Sequence, residues 1–196
     1  MWHSKKPAKR AQSTSMEFLV GYFIFFLLLT LTVVLWSEKV SEIQYSENFY
    51  DREETAVDVA EKLVRTHGVP ADWGSQNVTV IGLADEPRVL SKNKIIEFLQ
   101  IMNYSETAPT SPIYLSSGCA NLSNYECNKE VLGVGKYDFY FNLTDINGTV
   151  MEINNMTCIT GKSPVNETDA ITITRTAIFD NRIARMKLTL WERTEV

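Results

Sequence analysis

Histidine is almost absent from this chain: His3 and His67 are the only two among 196 residues. That scarcity leaves no histidine cluster for a zinc centre and one imidazole, His67, for any Ser–His–Asp arrangement. No nucleophile elbow or dinucleotide fingerprint accompanies it. The stretch Gly133-Val134-Gly135-Lys136 lacks the spacing and the following Ser or Thr of a phosphate-binding loop. Cysteine is scarce and odd in number, with Cys119, Cys127 and Cys158 and no C-x-x-C pair. A basic surplus is also missing. The net charge is −5, and a basic leader holds +4 of it, so residues 12–196 carry −9. That balance argues against nucleic acid as a partner, since phosphate is bound by a basic surface. These absences predict a protein that is not an enzyme and that carries no metal and no cofactor. His67 reads as a cap for helix carbonyls, and the acidic pairs Glu53-Glu54 and Asp85-Glu86 as solvated surface.

From Phe18 to Trp36 there is no charge in 19 residues, which is long enough to cross about 28 Å of hydrocarbon as a helix. Lys5, Lys6, Lys9 and Arg10 precede it, so the positive-inside rule predicts a cytoplasmic N-terminus and an extracellular remainder. No small-residue cleavage site follows the run: Leu35-Trp36-Ser37-Glu38 is not an A-x-A site, so the helix is expected to stay in the mature chain.

Neither Gly nor Pro occurs between Ser37 and His67. Ile43, Tyr50, Val57 and Val64 recur every seven residues, flanked by Val40, Ala56, Ala60 and Leu63, as a narrow apolar stripe on a charged helix. Gly68 and Pro70 stop it. One helix over 12–67 is therefore expected, about 80 Å long, its membrane part at 18–36. An α+β head over 71–196 should follow. Its expected elements are a strand at Asn77–Leu83, a loop at Ala84–Pro87 and a short helix capped by Ser91 that runs to Met102. A polar loop-like insert covers 103–130. Tyr137–Thr144 alternates as a strand, Asp145-Ile146-Asn147-Gly148 signals a hairpin turn, and Thr149–Asn154 returns. Ala170–Phe179 and Arg182–Trp191 form a second hairpin around Asp180-Asn181. An antiparallel sheet with one face on a helix satisfies the layering rule.

Seven N-x-[ST] sequons follow the apolar run, at Asn77, Asn103, Asn121, Asn142, Asn147, Asn155 and Asn166. Composition alone gives about two, so a glycosylated outer face is expected. Asn147-Gly148 also suits a turn. Cys119 and Cys127 make the shortest disulfide loop, leaving Cys158 free, buried or intermolecular, with Cys127–Cys158 the competing pair. Trp73, Tyr104, Tyr114 and Tyr125 lie in loop-like stretches and suit either glycan adhesion or packing.

The segment Gln12-Ser13-Thr14-Ser15-Met16-Glu17-Phe18-Leu19, ahead of an apolar helix, resembles the class III signal peptides of archaeal type IV pilin-like proteins. The resemblance implies cleavage by a prepilin peptidase beside Gln12, between Ala11 and Gln12 or between Gln12 and Ser13. It also implies that Glu17 sets subunit register by pairing with a neighbour's terminal amine. Three residues, not the commoner two, separate Gln12 from Met16-Glu17. Read without the resemblance, Glu17 is an acid in a helix's first turn, favoured by the macrodipole. Gly68-Val69-Pro70-Ala71-Asp72-Trp73, Val80-Ile81-Gly82-Leu83-Ala84, Lys94-Ile95-Ile96-Glu97-Phe98, Tyr104, Leu132-Gly133-Val134 and Tyr137-Asp138-Phe139-Tyr140 follow an order similar to the heads of that family, with 103–130 as a departure. The fold so implied is pilin-like, and the partners are other pilin-like subunits, the peptidase and the membrane. The function implied is a major or minor subunit of a surface filament, with an adhesive role available to it. The alternative is a monotopic surface glycoprotein that binds an envelope partner without polymerising.

Overall fold

The computed structural model describes residues 10–75, 77–103, 124–164 and 169–192; the side chains of residues 10–15, 44, 45, 124 and 127 lie outside that description. The chain divides into two compact units, Met1–Phe49 and Tyr50–Val196. The first consists of the N-terminal part of helix α1, which spans Arg10–Arg65. Good helix formers and the absence of Gly and Pro after Gly21 keep it continuous.

The second unit is α+β. The last turns of α1 bury Ala56, Val59, Ala60, Leu63 and Val64 in a single core with the sheet. Of the stripe read from the sequence, Ala56, Ala60, Leu63 and Val64 are buried and Val57 is half-buried, while Tyr50 is 65% exposed and, in the first unit, Ile43 is 62% exposed. Small Ala56 and Ala60 allow close approach to the sheet, so the contact runs through them, at the i, i+4 spacing of a helix face.

Strands β1 (Ala84–Glu86), β2 (Val89–Leu90), β3 (Tyr137–Asp145), β6 (Ile159–Gly161), β7 (Ile171–Phe179) and β8 (Arg182–Glu192) form a sheet in the order β1-β2-β7-β8-β3-β6. All its pairs are antiparallel except β2 with β7. Strands β4 (Glu152–Ile153) and β5 (Met156–Thr157) pair separately. Phe139, Phe141 and Leu143 of β3 and Ala184, Met186, Leu188 and Leu190 of β8 alternate into the core, as the sequence pattern predicts. Helix α2 (Lys92–Ile101) adds Ile95 and Phe98, whose ring meets Phe141 edge-on at 5.0 Å. The β7–β8 hairpin turns on Asp180 and Asn181, both at positive φ (50° and 59°), the left-handed pair such two-residue turns require.

Four expectations are corrected. The strand at 77–83 is only a bridge, Val69 to Val80, and the true strand β1 occupies the expected loop at 84–86. Its neighbour Gly82 lies too close to Thr66 and Gly68 for any side chain, which makes 82 a packing point. Second, the return along β3 is shorter than expected: residues 149–151 pair back on its end, with the Asp145 N–H on the Thr149 carbonyl at 2.8 Å, the Met151 N–H on the Leu143 carbonyl at 2.9 Å and one bridge, Thr144 to Val150, whereas Glu152–Ile153 pairs with β5 and β6 takes β3 at residues 140–142. Third, helix α3 (Asn124–Leu132) replaces the end of the expected loop and runs two residues past it, ended by Gly133 at φ 93°, whose N–H bonds the Lys129 and Glu130 carbonyls. Fourth, Ser91 occupies the N-cap of α2 without a side-chain cap bond; its N–H donates to the Leu83 carbonyl at 2.8 Å.

His67 does not cap α1. The Leu63, Val64 and Thr66 carbonyls accept the N–H groups of Leu83 (2.9 Å), Arg88 (2.7 Å) and Ala84 (3.1 Å), and His67 is exposed. Gly82→Ala is expected to destabilise the second unit by about 1–3 kcal/mol, because two of the three atoms its Cβ meets, the Thr66 carbonyl oxygen and the Gly68 nitrogen, are backbone and cannot swing away. Gly74→Ala, whose Cβ meets nothing nearer than 4.0 Å, serves as the near-neutral control. Thermal unfolding of the full chain in detergent, followed by near-UV circular dichroism, checks both; equal midpoints for the two variants would refute the close approach.

Candidate functional site

The first unit presents an unbroken apolar surface. Every large apolar side chain from Phe18 to Trp36 is exposed, from 44% for Phe26 to 75% for Phe18. In water such a surface would be strongly unfavourable, at roughly 25 cal/mol per Å2 of apolar area. Its two threonine hydroxyls need nothing from outside: Thr30 Oγ1 donates to the Phe26 carbonyl and Thr32 Oγ1 to the Leu28 carbonyl, each at 2.8 Å. This back-bonding lets a threonine sit in hydrocarbon without an unsatisfied polar group. The helix is long and apolar enough to cross a membrane.

Glu17 is exposed at the N-terminal edge of this segment. It is not in the first turn of α1, which starts at Arg10, so the macrodipole reading fails for the uncut chain. The backbone of Ala11, Gln12 and Ser13 is helical, and their side chains lie outside the described residues.

The sequons separate by burial. Asn77, Asn103, Asn147 and Asn155 are exposed, two of them in tight turns. Asn155 has φ 63°, and Asn147 follows Asp145, whose Oδ1 accepts the N–H groups of Asn147 and Thr149 at 2.8 Å each. Those two bonds account for Asp145 as a turn residue. Asn142 differs: it is half-buried in the middle of β3, its Oδ1 is enclosed without a partner, and Thr144 is 2% exposed. Asn121 and Asn166 lie outside the described residues.

Cys158 is a free, buried thiol, and burial pushes it up to about 11. Its side chain is part of the hydrophobic core of the second unit. Cys119 lies outside the described residues, as does the side chain of Cys127 on α3. Of the loop aromatics, Trp73 and Tyr125 are core residues: Trp73 Nε1 donates to the Gly82 carbonyl at 2.8 Å, and Tyr125 stacks on Phe139 at 5.2 Å. Tyr104 and Tyr114 lie outside the described residues. Among the described residues, no three His, Cys, Asp or Glu side chains gather where they could hold a metal.

Polar ties within the second unit hold α1 to the sheet. Tyr137 OH donates to Asp51 Oδ2 at 2.6 Å, with Lys136 Nζ 3.4 Å from the same oxygen. Arg175 Nε donates to Glu61 Oε1 at 2.6 Å, and Arg65 reaches Oε2 of the same carboxylate. A pair this near the surface contributes at most about 1 kcal/mol. Sequence reading missed these ties because Glu61 and Arg175 look like ordinary surface charges until the fold brings them together. The bond from Arg175 holds the Glu61 carboxyl below its ordinary value of 4.5, and the bond from Tyr137 holds Asp51 below 3.8.

A depressed folded-state value means that the unfolded chain takes up protons first. The stability from these groups is thus complete above the ordinary values and is lost as pH falls through the lowered ones. Glu61→Gln is expected to lower the neutral-pH melting point slightly and to flatten its fall below pH 4.5, the ordinary value of this carboxyl; an unchanged acid limb would contradict this. Peptide mapping of protein from its native surface should find glycan on Asn77, Asn103, Asn147 and Asn155 and none on Asn142; full occupancy at Asn142 would show that attachment precedes folding of β3. No protein-family model matches the chain, and neither the curated proteins nor the solved structures contain a match.

Proposed function

We propose that this chain is a structural subunit, major or minor, of an archaeal type IV pilus-like surface filament. One observation carries the reading: a charge-free helical segment, exposed on every side, begins directly after Glu17 and a basic leader that resembles the prepilin type. In this reading a prepilin peptidase removes the basic leader beside Gln12. The segment Phe18–Trp36 resides in lipid with its N-terminus cytoplasmic and then exchanges lipid contacts for contacts with other subunits' helices. Glu17 sets the register of that packing, and the α+β unit, bearing the sequons, faces outward with a pilin-like role. The packing of α1 on an antiparallel sheet supports the pilin-like part of the reading.

A second reading rests on the same exposure. No face of the segment is more polar than another, so lipid alone satisfies it, as in a monotopic glycoprotein that does not polymerise. Two measurements separate them. Under the filament reading the N-terminus of the native protein is Gln12 or Ser13, and Glu17→Ala abolishes filaments while the protein remains in the membrane at wild-type level. A native N-terminus at Met1, or normal filaments from the Glu17→Ala chain, overturns it.

A further inference from the structure

Beside β3 lies a cluster of charges that the filament reading does not use. Asp138 is fully buried; Lys162 Nζ is 3.0 Å from its Oδ2 and Lys129 Nζ 3.5 Å from its Oδ1. Lys129 is itself 8% exposed, and Glu126, one turn earlier on α3, places Oε2 3.0 Å from the same Nζ. Tyr125 OH accepts the Phe139 N–H at 2.8 Å and donates to Asp138 Oδ1 at 3.2 Å. Desolvating such charges costs several kcal/mol per ion, and a neutral link in their place would remove that cost.

We propose that Lys129 and Asp138 are joined by an intramolecular isopeptide bond, formed within the folded chain with Glu126 as proton carrier. The Glu126 carboxylate takes a proton from the Lys129 ammonium and leaves a neutral amine held against the Asp138 carboxyl. The amine nitrogen bonds to Cγ of Asp138. Tyr125 OH and the Lys162 ammonium face the two carboxyl oxygens, where negative charge builds in the tetrahedral intermediate. Glu126 returns its proton and relays a second from nitrogen to the departing oxygen, which leaves as water. An ammonium and a carboxylate thus become an amide and one water, with no oxidant and no co-reactant. Effective concentration supplies the drive that free amine and acid lack in water, since the fold keeps the two groups in contact. Lys129 is the nucleophile because it alone of the two lysines has a second carboxylate against its nitrogen. Lys162 has a side chain 31% exposed and, among the ion pairs above, meets Asp138 only.

The bond would tie α3 to β3 covalently, next to the sheet edge, in a unit whose only described thiol is free. The test is tryptic mapping of the full-length chain under reducing conditions. Linked, Lys129 resists cleavage, and its peptide through Lys136 appears branched to Tyr137–Lys162, lighter than the sum by one water. Glu126→Gln should keep the circular dichroism spectrum, restore cleavage after Lys129 and yield the linear peptides 95–129, 130–136 and 137–162 separately. Separate linear peptides from the wild-type chain overturn the proposal, as does a link through Lys162 or an undiminished link in Glu126→Gln.

Discussion

The last turn of α1 is where the second unit is organised. A helix ends with carbonyls that have no partner within it, and here those of the buried Leu63 and Val64, and of Thr66 just past the end, take partners from elsewhere. The answer comes from the amides of Leu83, Arg88 and Ala84. That choice sets where β1 starts and brings Arg88 into its left-handed turn at φ 70°. It also sends β2 out beside β7, where Ile178 N–H reaches the Arg88 carbonyl at 2.7 Å. The helix end is thus also the point from which one edge of the sheet is laid down, and the absence of a side chain at Gly82 is what allows the two to meet.

Much of this was legible in the residues. The β7–β8 hairpin showed itself by alternation on both sides of Asp180-Asn181, and β3 by Tyr137, Phe139, Phe141 and Leu143, because a period of two with β-branched and aromatic residues has few other meanings. The apolar segment was legible for the same reason: nothing else tolerates so long a run without charge. What stayed hidden depends on distant partners. Val78, Val80 and Ile81 look like a strand, yet the ladder they needed was taken elsewhere. Helix α3 is polar on most positions, and its anchors are single contacts, such as Asn128 Nδ2 on the Ile101 carbonyl, that local sequence does not announce. The apolar stripe of α1 was legible in its last turns, where Ala56, Ala60, Leu63 and Val64 are buried, but not in its extent, since Ile43 and Tyr50 continue the spacing and stay exposed.

The candidate site divides along the same line. The processing residues and Glu17 were chosen by local pattern alone, and sequons by their triplets. Burial then sorts the triplets, since Asn142 fits the rule as well as Asn147 does but sits within a strand with a closed-in hydroxyl two residues on. The charged cluster around Asp138 combines residues from α3, β3 and the start of the segment after β6. No spacing in the sequence connects them, which is why only the folded chain brings them into view.

Strand order carries one more consequence, for the timing of synthesis. The two strands nearest the C-terminus, β7 and β8, stand in the middle of the sheet, and β8 alone bridges β3 to the rest. A chain still emerging therefore has its outer strands in hand and lacks the ones that join them. Long-range pairing of this kind waits for β8, the last of these strands to be made, by which time the apolar helix has long been synthesised. The second unit therefore closes only once β8 has emerged, well after the helix that begins the chain.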